Sequence, residues 1–572
     1  MKITRQNPMK NNPAYRKMEI GIIIVFMMIT MLLVIFNPAQ GVNAVEENLP
    51  STDLDAYAYA MPHQGWAPMT VYFSAFGSQS AAGNIISYEW DLDGNGLYDT
   101  DASADGGYAN YTYSKPGEYI VTVRVTDDTG RSSTANTTVT VKHPSSSSVD
   151  YWTIFDDSEV RRVELQITKA NWDAMWEQPD SKKRVEADIL LFGDLVEFIS
   201  VSMKGNGSLG GSGEKKSWKI DMNDFVDEQE YRNLKQILFH NNFMDASMLR
   251  EKMGYEMSAF AGVPAGHTAY VEFWIDIVDD ENPSEYWGVY TMVERVDAKY
   301  VRNRFGNDNG TGNLYKADAW FEQGAADLVY YGQDIEDYPK PRGEVAYGLQ
   351  TNLDDPDYTD IINLCYVIDG VHYQSETEFT QALEKVLNVD GYLRYTAVLM
   401  THQNLDTYQY TGNNFYLYDD PMTGKFEFLA WDLNSAWMGS PEFPLYGESC
   451  CQGPVQWSPL FTKVFQVARY RQDYAAYVDL LTRYWFSDNY FPARAVYWQE
   501  MISPYLDGDK AYVGDSALYS LEQFTSERNQ LISLTSQRSQ YLQALLSSGQ
   551  WRTIIPEANV DKNTVGNVNE MH

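Results

Sequence analysis

The chain has 572 residues, of which 79 are acidic and 43 are basic, so its formal net charge at pH 7 is -36. This length exceeds what one hydrophobic core supports, and 44% hydrophobic with 14% aromatic residues indicates two or more globular domains. The excess of acids repels phosphate backbones, which argues against DNA or RNA as partners. A nucleotide would also be repelled unless divalent cations or a locally basic loop compensated.

The N-terminus, residues 1–44, is typical of an exported protein. Basic residues precede a charge-free, mostly apolar run at positions 20–36, and small residues lead to Ala44 before the first acids. The run is long for a signal peptide and short for a membrane span, so cleavage after Ala44 and retention as an N-terminal membrane anchor both stay open. The positive charge before the run predicts that the rest of the chain is extracellular, either secreted or held at the cell surface.

Cysteine is rare in this sequence. The three cysteines are Cys365 and the adjacent Cys450 and Cys451. They are too few for a disulfide scaffold, although a bridge from Cys365 to one of the pair suits an oxidising compartment. Three unbridged thiols are the alternative.

Residues 53–143 show short strand-like runs separated by turn residues, which predicts a small all-β sandwich. Inside it, Asp91, Asp93 and Asn95 place side-chain oxygens at alternate positions around a glycine turn, as the start of a Ca²⁺ loop does. The twelfth position of such a loop is Ala102, where an acid is needed, so a plain turn is the alternative.

Four segments of this domain, at 65–68, 88–93, 113–119 and 125–130, together resemble a PKD domain. Such domains occur mostly on extracellular proteins as spacers or binding modules. The resemblance therefore implies a surface location and contact with carbohydrate or the cell envelope, and it says little about chemistry. Residues 144–150 have the Ser-rich composition of a linker.

Residues 151–550 have a mixed pattern that predicts an α+β domain. Strand-like runs at 163–167, 199–203, 218–222 and 270–275 precede helical patterns that begin near 246, 376 and 392. Beyond position 460 strand signals become sparse, which predicts a helical C-terminal part. A polar tail follows at 556–572.

The stretch from 404 to 434 carries most of the chemical information. Two apolar runs at 415–418 and 426–431 flank a turn, which predicts a β-hairpin whose ends bring Asn414 and Asp432 to one rim. Asp406 precedes the hairpin. Two carboxylates with an amide are suitable ligands for a hard divalent cation that also binds a phosphate substrate. Phosphoryl transfer is therefore the working hypothesis.

A glycine-rich loop at 205–213 supplies the basic spot that an acidic chain would need. Gly205, Gly207 and Gly210 fit a G-x-G-x-x-G pattern between two strand-like runs, and Lys216 and Lys219 follow on the second run. Backbone N–H groups of such a loop approach phosphates, and a neighbouring lysine neutralises their charge. A flexible surface hairpin is the alternative, and a Rossmann unit is excluded because a strand follows where a helix is required.

Taken in order, the motifs at 204–208, 215–219, 240–250, 286–294, 404–406, 414–418 and 431–434 resemble the CotH family of spore-coat kinases. The resemblance spans residues 163–439. It implies an atypical protein-kinase-like fold that uses ATP and Mg²⁺ or Mn²⁺ to phosphorylate Ser or Thr hydroxyls of surface or coat proteins. The predicted fold class is thus an α+β, kinase-like domain with a helical C-terminal part, preceded by an Ig-like sandwich.

The same resemblance assigns roles to single residues. Asp406 corresponds to the catalytic-loop aspartate, Asp432 to the metal-binding aspartate and Asn414 to a second metal ligand. Gly205, Gly207 and Gly210 would cover the phosphates, with Lys216 or Lys219 as the phosphate lysine, Glu251 or Glu256 as its anchor, and Glu294 near the nucleotide base.

Two departures from ordinary protein kinases keep a second hypothesis open. Asp406 and Asn414 are eight residues apart where the common catalytic loop has five, and no Asp-Phe-Gly motif occurs. ATP is also scarce outside cells. The alternative is a catalytically silent CotH-like and PKD protein that acts as an adhesin or envelope-binding protein.

Overall fold

The computed structural model describes residues 54–142, 153–205, 208–209, 213–306, 310–320, 323–446, 458–514 and 517–553. An all-β domain precedes a larger region of helices and sheets, which confirms the predicted fold class. No helix of the described residues is long and apolar enough to cross a membrane. The apolar run at 20–36, the linker at 144–150, Cys450, Cys451 and the tail at 556–572 lie outside the described residues.

The first domain is a sandwich of short strands. Its alternating residues pack inward around the fully buried Trp90. One sheet has the order β2-β4-β8, the other has the order β3-β10-β9-β6-β7, and β1 pairs with β5. The strands are β1 Leu54–Asp55, β2 Tyr59–Met61, β3 Gln64–Trp66, β4 Met69–Ser74, β5 Gln79–Ser80, β6 Ile85–Asp91, β7 Thr100–Asp101, β8 Ala109–Tyr113, β9 Gly117–Asp127 and β10 Ser132–Lys142.

The acidic turn of this sandwich uses its side-chain oxygens on the backbone. Asp91 accepts hydrogen bonds from the N–H groups of Asn95, at 3.1 Å, and Gly96, at 2.7 Å, and Asp93 also accepts from Asn95. These bonds alone account for a stable turn. The Ca²⁺ site stays a prediction.

Seven strands of the second region close into a barrel of order β11-β12-β13-β14-β15-β17-β16. All neighbours are antiparallel except β11 and β16, which run parallel. Alternate residues of each strand point to the same face, so Ala269, Val271, Phe273 and Ile275 of one strand all point into the barrel core. The strands are β11 Arg161–Ile167, β12 Val185–Leu191, β13 Asp194–Lys204, β14 Ser217–Asp221, β15 Gln236–His240, β16 Thr268–Ile277 and β17 Glu285–Glu294.

A second sheet of order β21-β18-β22-β23 lies next along the chain. Its strands are β18 Leu314–Ala317, β21 Tyr347–Leu349, β22 Phe415–Asp420 and β23 Lys425–Ala430, with the short pair β19 Ala319–Trp320 and β20 Gly324–Ala325 beside it. The β22–β23 pair is the predicted hairpin, in the register Phe415 opposite Ala430.

Helices surround the two sheets. They are α1 Lys169–Glu177, α2 Arg250–Ala261, α3 Ala298–Phe305, α4 Thr359–Asp369, α5 Glu376–Val386, α6 Val389–Thr401, α7 Pro459–Val464, α8 Ala468–Leu480, α9 Phe491–Ile502 and α10 Leu521–Ser548. The last four form the predicted helical C-terminal part. Helix α10 begins with a capping box in which Ser520 and Gln523 satisfy each other's backbone N–H groups. Cys365 of α4 is a buried free thiol.

The PKD-like domain packs directly on the helices of the second region. Arg394 of α6 donates to the backbone carbonyl of Ala60 at 2.8 Å, and the rings of Tyr72 and Tyr484 lie 4.3 Å apart. His63 lies in the same interface, where burial and the charge of Arg394 lower its pKa to about 4. The sequence predicted a spacer joined by a linker, and this contact was not foreseen.

A buried ion pair joins the barrel to the C-terminal helices. The Lys215 ammonium lies 2.8 Å from both carboxylate oxygens of Asp509, and the two side chains are 1% and 0% exposed. Lys215 also donates to the carbonyl of Val289, while Asp509 accepts from the N–H of Val289 and of Ala511. Each charged group of this pair therefore has its counterion and at least one further hydrogen bond to the backbone.

We expect Lys215→Met to lower the free energy of unfolding by about 3 kcal/mol, because it leaves the Asp509 carboxylate buried without its counterion. Urea unfolding measures this loss. Lys169→Met is the matched control: it breaks the exposed Lys169–Asp173 pair and should cost no more than about 0.5 kcal/mol. Equal effects of the two substitutions would contradict the analysis.

Candidate active site

The β22–β23 hairpin holds Asn414 and Asp432 at one end. Asn414 immediately precedes β22, and Asp432 lies two residues after β23. Both residues have positive φ, 56° and 52°. Asn and Asp tolerate this left-handed conformation better than other residues with a side chain, so the backbone itself favours these residue types here. The hairpin therefore brings Asn414 and Asp432 to the same end, as the sequence predicted.

Asp406 lies against the same end of the hairpin. Its carboxylate accepts hydrogen bonds from the Thr411 hydroxyl at 2.6 Å and from the Asn414 amide at 2.8 Å. Its own N–H donates to Asn404 at 3.0 Å. The longer spacing between Asp406 and Asn414 thus forms a compact loop that still joins the two side chains. Burial raises the pKa of Asp406, and the charge of Asp432 raises it further.

Asp432 is held by helix α2. Its N–H donates to the Tyr255 hydroxyl at 3.2 Å, and a Cβ on Gly254 would lie 3.0 Å from the Leu433 Cβ, so a glycine is needed for the close approach. Arg250 donates to the carbonyls of Ala436 and Trp437, both at 2.8 Å. One oxygen of Asp432, Oδ1, is buried with no hydrogen-bond partner among the residues that the structure describes.

Three basic groups lie close enough to influence one another, and two of them, Lys204 and Lys316, also feel the charge of Asp432. Lys204 ends β13, Lys316 lies on β18, and Arg295 directly follows β17. Burial and repulsion by Arg295 and Lys204 lower the pKa of Lys316 to about 8, while Asp432 opposes this shift. Burial lowers the pKa of Lys204, and Asp432 again opposes it. The acidic chain therefore has a local cluster of positive charge, which we call the cation cluster (Lys204, Arg295, Lys316).

Lys204 is also linked to helix α2 through a histidine. The Lys204 ammonium lies 2.5 Å from His240 Nε2, and His240 Nδ1 lies 2.9 Å from both oxygens of Glu251. The other acid that the sequence left open, Glu256, pairs instead with Arg494 at 2.7 Å. Glu251 is thus the acid of α2 on the side of the site.

The two lysines predicted to neutralise phosphate each have partners within the protein, and their role stays a prediction. Lys216 donates to the Leu209 carbonyl at 2.6 Å and faces the Trp176 ring. Lys219 pairs with Asp221 at 3.3 Å, although burial and Arg295 lower its pKa, which indicates that it lies at the edge of the cation cluster.

The remaining predicted residues are the three glycines of the loop and Glu294. Gly205 follows β13 with a φ of 109°, which favours glycine, whereas Gly207 and Gly210 lie outside the described residues. Glu294 is fully buried and accepts from Arg304 at 3.0 Å and from the N–H of His267. Burial raises its pKa to about 7. Both hydrogen bonds go to Oε2, and Oε1 is buried with no hydrogen-bond partner among the described residues. The place of Glu294 beside a nucleotide base stays a prediction.

Sequence reasoning missed Lys204, Lys316 and His240 as site residues. Lys204 had a usable signal, because it is the last residue of a strand and directly precedes the glycine-rich loop. Lys316 had none, because it is a single lysine in a short strand far along the chain. Only the pairing of β18 with β22, Lys316 opposite Tyr416, brings it to the site.

The residues present suit a hard divalent cation. Asp432 Oδ1 lacks a protein partner, and Asn414 uses its amide N–H on Asp406, which leaves its carbonyl oxygen as an acceptor. No group of three or more His, Cys, Asp or Glu in the described residues could hold a metal alone. Mg²⁺ characteristically takes one or two protein carboxylates and completes its shell with water and substrate phosphate. The donor set fits that pattern.

Comparison with known proteins is consistent with this geometry. Residues 201–542, more than half of the chain, match the family described as CotH kinase protein. The chain belongs to the CotH kinase protein family. The Inner spore coat protein H of Bacillus subtilis (strain 168) is 24% identical over 339 residues, which cover 58% of this chain and 84% of that protein. The predicted family is confirmed.

The first domain has relatives of its own. Residues 58–141 match the PKD domain family. The Pre-pro-metalloprotease PrtV of Vibrio cholerae is 36% identical over 106 residues, 16% of this chain and 11% of that protein. The crystal structure of the PKD1 domain from that protease is 31% identical and covers 16% of this chain and 99% of its own, with a TM-score of 0.13.

We expect Gly254→Val to destabilise the protein by about 1–3 kcal/mol, because the new side chain overlaps Leu433 at the turn that holds Asp432. Ala259→Val, at an exposed position of the same helix, isolates the cost of a β-branched residue in a helix. Urea unfolding of both variants gives the difference. A Gly254→Val variant no less stable than Ala259→Val would refute the close approach.

Proposed function

We propose that this protein is an exported kinase that transfers the γ-phosphate of ATP, with Mg²⁺ or Mn²⁺, to Ser or Thr hydroxyls of a surface or coat protein. One observation carries the proposal. The charges of Arg295, Lys204 and Asp432 all act on Lys316, and those of Asp432 and Arg295 act on Lys204, although the whole chain carries a net charge of -36. Cations that repel one another are costly to bring together unless an anion binds between them. A triphosphate supplies that anion.

The different surroundings of Asp432 and Asp406 favour different roles for the two residues. Asp432, with a buried oxygen that lacks a partner, and Asn414 would hold the divalent cation, which neutralises phosphate charge when bound. Asp406 is buried and has a raised pKa, so it is a stronger base than an exposed aspartate. In the transfer the acceptor hydroxyl oxygen forms a bond to the γ-phosphorus, the bond to the β-phosphate oxygen breaks, ADP leaves, and Asp406 takes the hydroxyl proton.

Lys204 is the best-placed phosphate lysine. It lies at the end of β13, directly before the glycine-rich loop, and the charge of Asp432 acts on it. Lys216 faces Trp176 instead. Export and the PKD domain support an acceptor outside the cytoplasm, with the PKD domain contacting carbohydrate or the cell envelope.

Binding is tested by titrating ATP into the full chain with and without Mg²⁺, the PKD domain included because it packs on the helices. We expect Mg²⁺-dependent binding that Asp432→Ala abolishes. Lys204→Met should weaken binding about tenfold or more, since it removes a charge-assisted phosphate contact. Lys169→Met, at an exposed position of α1, is the control for loss of a lysine and should bind as the wild type does. No binding by the wild type would favour the silent adhesin.

Turnover is tested separately with Asp406→Asn, which keeps the size of the side chain and one of its two acceptor oxygens but removes the base. We expect unchanged Mg²⁺–ATP binding and a loss of phosphoryl transfer of about 100-fold or more. The readout is ³²P transfer to a peptide library that contains Ser and Thr. A fully active Asp406→Asn variant would remove Asp406 from the mechanism.

A further inference from the structure

Lys204 and Glu251 lie on opposite sides of an imidazole. In the described residues no direct ion pair joins the two side chains. Instead, His240 at the end of β15 contacts Lys204 through Nε2 at 2.5 Å and Glu251 through Nδ1 at 2.9 Å. The side chains of His240 and Glu251 are 8% and 5% exposed, so water does not replace these contacts.

The chemistry of the three groups fixes the state of the ring. A lysine ammonium has only donors, so Nε2 must accept its hydrogen bond. The ring is then neutral, Nδ1 carries the proton, and that proton is donated to the Glu251 carboxylate. A carboxylate that accepts from one ring nitrogen increases the basicity of the other, as in histidines that bind metals. Glu251 therefore strengthens the hold of His240 on Lys204.

Among the described residues, few groups other than Lys204 and Glu251 contact the His240 ring. Its strand neighbours are Ser217 of β14 and Thr291 of β17, neither of which carries charge. The Trp431 ring lies edge-on at 6.3 Å and the Lys204 ammonium is 6.0 Å from the same ring. Lys204 and Glu251 are thus the charged groups that contact the imidazole, and Asp432 lies beyond Trp431.

We propose that His240 is a positioning residue: with Glu251 it holds the Lys204 ammonium in the cation cluster, where that ammonium meets the phosphates of the nucleotide. The inference rests on the proposed function for the role of Lys204. The chain Glu251–His240–Lys204 gives helix α2 control of the phosphate lysine through a neutral ring. A movement of α2 that separates Glu251 from His240 would release both the ring and the lysine.

The test compares three variants of the full chain. His240→Leu keeps the approximate size and removes both hydrogen bonds. His240→Gln keeps an amide that accepts from Lys204 and donates to Glu251. Glu251→Gln keeps a hydrogen-bond acceptor for Nδ1 and removes the charge. Thermal unfolding midpoints identify any variant that fails to fold, and the two glutamine variants keep the test decisive if His240→Leu is one of them.

Two readouts are needed. The first is KM for ATP against kcat: we expect His240→Leu to raise KM about tenfold, Glu251→Gln to raise it less, and His240→Gln to restore most of the affinity. The second is the rate at which an amine-reactive reagent modifies Lys204, followed by mass spectrometry without nucleotide. Loss of the acceptor makes the ammonium easier to deprotonate, so His240→Leu should be modified several-fold faster than the wild type.

The two readouts separate the two proposals. Faster modification in His240→Leu with rescue by His240→Gln supports the positioning role even if the wild type fails to bind ATP, in which case only the proposed function falls. Wild-type modification rates and wild-type KM in His240→Leu overturn the positioning role. So does a His240→Gln variant as impaired as His240→Leu, because shape alone would then account for both.

Discussion

One face of helix α2 connects the barrel to the hairpin, and the geometry of the site depends on it. Residues 250, 251, 254 and 255 form that face, because positions three and four apart are neighbours on the surface of a helix. Arg250, Gly254 and Tyr255 fix the turn around Asp432, and Glu251 reaches Lys204 through His240. A single rigid element thereby sets the distance between an acid from one sheet and a lysine from the other.

The same arrangement explains how an acidic chain tolerates buried cations. An isolated charge is costly to bury, and the cost falls only when a partner lies close by. Lys215 meets this requirement with Asp509, entirely within the protein. Asp432 offsets the burial of Lys204 and Lys316 only partly, so burial and the charge of Arg295 lower the pKa of both lysines, and Lys204 lowers that of Lys316 further. The first pair therefore supports the fold, whereas the second group has unused capacity for an anion.

The sequence predicted those parts of the structure that depend on neighbouring residues. Alternating and helical patterns located β22, β23 and α10, and turn chemistry paired the hairpin that brings Asn414 to Asp432. Pairing between strands that are far apart along the chain is harder to predict from the sequence. Barrel closure requires β11 to lie beside β16, about a hundred residues away, and Lys316 reaches the site only through its partner strand. The sequence directed attention to Lys216 and Lys219, which follow the glycines, whereas Lys204, which precedes them, is the one proposed here to meet phosphate.

The contact between the PKD domain and the kinase region has a mechanical consequence for the site. Arg394 binds the PKD backbone from helix α6, and that helix ends at Thr401, five residues before Asp406. Helix α6 also packs on β23, the strand that leads to Asp432. The proposed base and the proposed metal ligand are therefore carried by elements that adjoin the interface. A domain expected to act as a spacer or binding module instead packs on the helix that precedes Asp406.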